Sequence, residues 1–174
     1  DFPALLAGGL DRLVDYGLEL FGRAIGRAGG LALDRFVLAA HSGGGMLAVD
    51  MIAGAERAPD EFFAFDGLYG RDPATGDRLR GLETIDRWLG GRLALEPERP
   101  GALRVVYIES QTGPFSREVA RLIDLRLAAL DPALAAALAR RYRVETAIVQ
   151  HSQIARHYMP ELLAQPDAEF GWPR

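Results

Sequence analysis

Cysteine and lysine are both missing from these 174 residues, and every one of the 20 basic residues is arginine. Without cysteine there is no disulfide framework, no thiolate metal site and no sulfur nucleophile. Without lysine there is no Schiff-base chemistry, no phosphate-gripping lysine of a P-loop and no Ser–Lys dyad. Histidine is scarce, with three in the chain, so any imidazole base is one of His41, His151 and His157. No apolar run is long enough to span a bilayer. The net charge of -4 gives no general drive toward nucleic acid or an anionic membrane. What is plentiful is apolar sequence: 49% hydrophobic against 25% charged residues, enough for a sizeable core in one domain.

One stretch organises the rest. Phe36 to Ala40 reads as a strand buried on both faces of a parallel sheet. After a turn crowded with glycine, a helix runs to about Ala55, with Leu47, Ala48 and Ile52 inward and Asp50 and Glu56 outward. Between them Ala40-His41-Ser42-Gly43-Gly44 is a variant of small-x-Ser-x-Gly, the sharp strand-to-helix turn that lifts a serine hydroxyl clear of a strand. Small residues are expected two before and two after the serine, here Ala40 and Gly44, because strand and helix cross closely. The Gly43 N–H, at the positive end of the helix, would face an oxyanion forming near Ser42. The simpler alternative is a glycine turn that joins strand to helix and at most holds an anion.

Along the chain, Pro3 to Ala28 has helical spacing, with Leu6, Leu10, Leu13, Leu20 and Phe21 expected inward and a kink expected from its glycines. Strands follow at Glu61 to Phe65, Ala102 to Ile108 and Val144 to Val149. Arg71 to Arg80 is a polar loop, and Leu82 to Leu89 a short packing helix with Trp88 beside it. Helices are expected at Ser116 to Leu130 and, capped by Asp131 with Pro132 at its first position, on to Arg141. A last helix carries Ile154, Tyr158, Leu162 and Leu163, and residues 165–174 form a loosely held tail. The alternation predicts an α/β fold, a parallel sheet with helices on both faces, in a single domain over residues 1–164. Ser42, Asp66, Glu109 and His151 each follow a predicted strand end, where ligands bind in such sheets.

The order Ser42, then an acid, then His151 resembles the triad order of the α/β-hydrolase superfamily, and the likeness covers nearly all of the chain. His151-Ser152-Gln153-Ile154 is similar to that superfamily's histidine loop, and Phe65-Asp66-Gly67-Leu68-Tyr69-Gly70 to a segment of poorly characterised bacterial members. The strands that normally precede the first helix are absent. The resemblance therefore implies the C-terminal two-thirds of the fold, with further sequence expected before Asp1 and no residue assignable as second oxyanion donor. It implies a serine hydrolase acting on a small-molecule ester or amide, with Ser42 as nucleophile, His151 as base, Asp66 as acid and Gly43 in the oxyanion hole.

Each role has a competitor. His41 adjoins the serine, but its side chain is expected to diverge from it, and His157 lies within the closing helix as a packed or surface residue. Glu109 rivals Asp66, which is preferred for its short glycine turn. The spacing of His151 and His157 does not suit a metal, and no cofactor, nucleic-acid or membrane-spanning signature is present. The alternative function is a hydrolase-like fold kept as a binding module.

Overall fold

The computed structural model describes residues 3–27, 30–70 and 81–170, with the side chains of residues 3–8 excepted. Helix α1, Pro3–Ala24, leads into strand β1, Val37–His41, and helix α2, Gly44–Gly54. Strand β2, Glu61–Phe65, is followed by α3, Leu82–Leu93, then β3, Ala102–Tyr107, and α4, Gly113–Ala128. The short α5, Pro132–Leu138, precedes β4, Tyr142–Thr146, and a 3-10 turn at His151–Gln153 opens into α6, Ile154–Ala164.

The four strands lie in the order β1-β2-β3-β4, all parallel. Parallel neighbours need a crossover, and right-handed crossovers that all step the same way put their helices on one face. Accordingly Phe62, Ala64, Leu103 and Val105 share a core with residues of α2, α3, α4 and α5. The alternate residues Phe63, Phe65, Ala102 and Val106 pack against Ile154, Tyr158 and Leu162 of α6, which returns across the opposite face. The period-2 alternation of the strands thus feeds two cores, so β2 and β3 are apolar almost throughout. Asp131 caps α5 as its position predicts, accepting from the N–H groups of Ala133 and Leu134.

Several sequence expectations change. β1 is half-buried, with Ala39 exposed, and not buried on both faces, because among the described residues it is an edge strand paired with β2 alone. Strand β4 begins and ends earlier than expected: the β3 ladder it pairs with stops at Tyr107↔Thr146, leaving 147–150 as a connection. Helix α1 bends at Gly9, which takes φ 68°, as its glycines suggested. Of its apolar stripe Leu10 is buried while Leu13, Leu20 and Phe21 are exposed. The polar side of α1 meets the turn after α2: Asp11 accepts from the N–H groups of Glu56 and Arg57, and Asp15 pairs with the Arg57 guanidinium. The polar loop 71–80 lies outside the described residues.

The tail is not loose over residues 165–170. Arg104 of β3, with no exposed surface, is ion-paired to Glu145 of β4 and donates to the carbonyls of Arg140, Pro166 and Ala168. The Phe170 ring closes this side, 5.2 Å from the guanidinium carbon and edge-on to Tyr158. A charge this deep is tolerated only when paired and hydrogen-bonded, and the tail supplies carbonyls for that purpose.

Candidate active site

The carboxyl ends of β1 and β2 are joined beyond the last ladder pair, His41↔Phe65, by the Ser42 N–H donating to the Phe65 carbonyl at 3.0 Å. Asp66 N–H in turn donates to Val106 of β3 at 2.7 Å. Ser42 and Asp66 are the two non-glycine residues with positive φ among the described residues, at 54° and 45°. That region is costly for residues with a Cβ, by about 1–3 kcal/mol, and it clusters at functional sites.

The room for these turns comes from glycine, though not at the expected position. A Cβ on Gly44 would meet nothing within 4 Å, so the close crossing does not involve it. A Cβ on Gly45 would lie 2.2 Å from the Gly67 carbonyl oxygen, and one on Gly67 would lie 2.6 Å from the Ser42 carbonyl oxygen. The serine turn and the aspartate turn therefore press backbone on backbone, and the glycine that matters is three residues past Ser42, not two. The Gly43-Gly44-Gly45 run contained the signal without saying which member carried it.

His151 reaches this place from the far side of the sheet. After β4, the Ala147 N–H donates to the Tyr107 carbonyl at 2.6 Å and the Ile148 N–H to the Tyr158 hydroxyl at 3.0 Å. The chain then crosses to the 3-10 turn that opens α6, whose Ile154 is buried with Phe63 and Phe65. The imidazole Nε2 lies 3.0 Å from Ser42 Oγ and Nδ1 lies 2.6 Å from Asp66 Oδ2.

Asp66, 2% exposed, receives two further hydrogen bonds on its other oxygen, from the Ile108 N–H at 3.2 Å and from the Thr112 hydroxyl. A carboxylate facing donors on every side can only accept, so the imidazole hydrogen belongs on Nδ1, which leaves Nε2 to accept from the Ser42 hydroxyl. Thr112, fully buried at the head of α4, has a place in the sequence as a turn residue that Glu109 could bond; its hydroxyl instead goes to Asp66, and no side-chain cap bond forms there.

The remaining candidates are elsewhere engaged. Glu109 accepts from Arg117 at 2.6 and 2.8 Å and from the Tyr107 hydroxyl at 3.0 Å, on an exposed rim. The Arg117 hydrogen bonds, then that of Tyr107, hold its carboxyl below the usual range. His157 is exposed and stands edge-on to Tyr158, 4.7 Å between ring centroids. His41 does diverge from the serine: its Nε2 lies 3.0 Å from the His151 carbonyl oxygen, and its ring lies against that of His151. Gly43 caps α2 and is exposed, so its N–H is placed at the positive end of the helix. Among the described residues there is no cluster of histidine, aspartate or glutamate that could hold a metal ion, and no helix long and apolar enough to cross a membrane.

No family model, curated protein or solved structure matches the chain.

Proposed function

We propose that this chain is a serine hydrolase of the α/β-hydrolase kind, cleaving a small-molecule carboxylic ester or amide through an acyl-enzyme. The observation that carries the reading is the continuous relay from Ser42 Oγ through the His151 imidazole to the Asp66 carboxylate, 3.0 and 2.6 Å long. Both links are within the reach required of nucleophile, base and orienting acid.

In this mechanism Ser42 Oγ attacks the carbonyl carbon while its proton passes to His151 Nε2. Asp66 holds the Nδ1–H and stabilises the imidazolium without becoming protonated. The tetrahedral oxyanion faces the Gly43 N–H at the head of α2. Collapse expels the alcohol or amine, which takes the proton back from Nε2. A water molecule then repeats the sequence on the acyl-serine, releasing the carboxylic acid and restoring the Ser42 hydroxyl.

Labelling with a fluorophosphonate tests the proposal directly. The probe is expected to modify Ser42 in the folded chain and not in Ser42→Ala, and the same substitution should abolish turnover of a short p-nitrophenyl ester with the circular dichroism unchanged. A folded protein that neither labels nor turns over ester would leave the relay as the relic of a binding module.

A further inference from the structure

The three contacts His151 makes in the site do not all lie in one direction. Asp66 and Ser42 meet the ring at its two nitrogens. The His41 ring lies against the His151 ring with centroids 4.7 Å apart and planes tilted by 31°. His41 also places Nε2 3.0 Å from the backbone carbonyl oxygen of His151. A carbonyl only accepts, so Nε2 of His41 bears the hydrogen whatever the charge of that ring. One side chain thus grips both the backbone and the ring of its neighbour.

The grip has a reason to exist. His151 sits in a single 3-10 turn, its side chain 38% exposed, flanked by Gln150 and Ser152, which are both exposed. The crossing segment is anchored upstream of that turn at Ala147 and Ile148, and the turn itself is closed by the Gln153 N–H on the Gln150 carbonyl and the Ile154 N–H on the His151 carbonyl, bonds that hold the backbone and not the ring. Two hydrogen bonds at its nitrogens do not by themselves stop an imidazole tilting about the line that joins them. His41, by contrast, is the last residue of β1, fixed by its ladder pairing with Phe65 and bonded directly to Ser42 in the chain.

We infer that His41 is a positioning residue for His151, fastening the turn through the Nε2–H···O=C hydrogen bond and bracing the imidazole through ring contact. Its consequence for turnover rests on the hydrolase reading above; the contact itself rests on geometry alone. One turn then delivers both the nucleophile and the brace of its base, so motion of that turn carries the two together. With Nε2 spent on the carbonyl, Nδ1 is the one nitrogen of His41 left to accept a proton.

With three histidines in the chain, imidazole ¹H–¹⁵N correlation spectra of the full-length protein resolve each ring. In the native protein, His41 is expected to carry its hydrogen on Nε2, and His151 to show a slowly exchanging Nδ1–H. His41→Gln keeps a donor near the same reach, His41→Phe keeps a ring without the donor, and His41→Ala keeps neither. The His151 Nδ1–H signal should broaden away in His41→Ala and persist in part in His41→Gln and His41→Phe. Turnover of the p-nitrophenyl ester should fall in kcat by about tenfold to a hundredfold in His41→Ala with KM little changed, the scale of a misplaced catalytic group, and recover partly in His41→Gln.

A native His41 protonated on Nδ1 alone would overturn the inference, even if every variant failed to fold. So would a folded His41→Ala with unaltered His151 signals. If native protein neither labels with the fluorophosphonate nor turns over ester, the hydrolase reading falls, and the spectra still decide the contact.

Discussion

Ser42 and Asp66 leave neighbouring strands in the same left-handed backbone conformation, and the Ser42 N–H is bonded to Phe65, the residue just before Asp66. The two turns are locked at a fixed separation by the ladder and by the Gly45–Gly67 backbone contact, before any side chain is considered. Their side chains then meet on one imidazole. Two strained turns of about 1–3 kcal/mol each, side by side and bridged by a third residue, are what a preorganised site is built from.

Asp66→Asn and Glu109→Gln separate the two acids. The first replaces an acceptor by an amide that cannot hold the Nδ1–H tautomer, and kcat for the ester should drop by about three to four orders of magnitude. The second breaks a rim contact with Arg117 and Tyr107 and should leave kcat within about twofold, the level of an exposed pair. Glu109 has a lowered carboxyl pKa in the folded chain, through Arg117 first. Its contribution to stability is therefore present above the unfolded carboxyl pKa and lost as pH falls through the lower folded value. Melting curves of Glu109→Gln should thus differ slightly from native at neutral pH and converge with them in acid.

Thr112→Val removes the hydroxyl that donates to buried Asp66 and keeps the shape. Leaving a buried carboxylate one donor short costs about 1–3 kcal/mol, measured by urea unfolding, and kcat should fall with KM unchanged as Asp66 loosens. Thr112→Ser restores the donor and should recover most of both.

Gly45→Ala and Gly44→Ala are adjacent substitutions with opposite expectations. A methyl at Gly45 meets the Gly67 backbone at 2.2 Å, where nothing flexible can yield, and should destabilise the fold by roughly 2–4 kcal/mol. A methyl at Gly44 enters open space at the start of α2 and should be neutral or stabilising by up to about 1 kcal/mol. Thermal unfolding of the pair checks both. Equal effects would remove the close crossing from the account.

Arg104→Met takes the close partner from the buried Glu145 carboxylate and the donor from the carbonyls of Arg140, Pro166 and Ala168, and should cost about 3–5 kcal/mol. Adding Glu145→Met removes that buried charge and should recover part of that loss. In the single variant, limited proteolysis is expected to cut near Pro166, where the native tail is protected.

By itself the sequence determined the alternation. Apolar runs of five or six residues bounded by turns, with helical spacing between them, suffice for a parallel α/β sheet, because backbone hydrogen bonding and burial act on local pattern. It also determined the candidates, since a chain with three histidines and no lysine or cysteine offers few nucleophile–base pairs. Tertiary structure decided what depends on distance between elements remote in the chain. That Asp66 and not Glu109 faces His151 follows from the crossing of residues 147–150 over the strand ends and from Arg117 claiming the glutamate. That Gly45 and not Gly44 permits the close turn depends on where Gly67 lies. That β1 is an edge depends on which strands pair, and that the tail is bound depends on Arg104 being buried opposite it. Local pattern fixes which face a residue presents, and only the packed chain fixes what stands across from it.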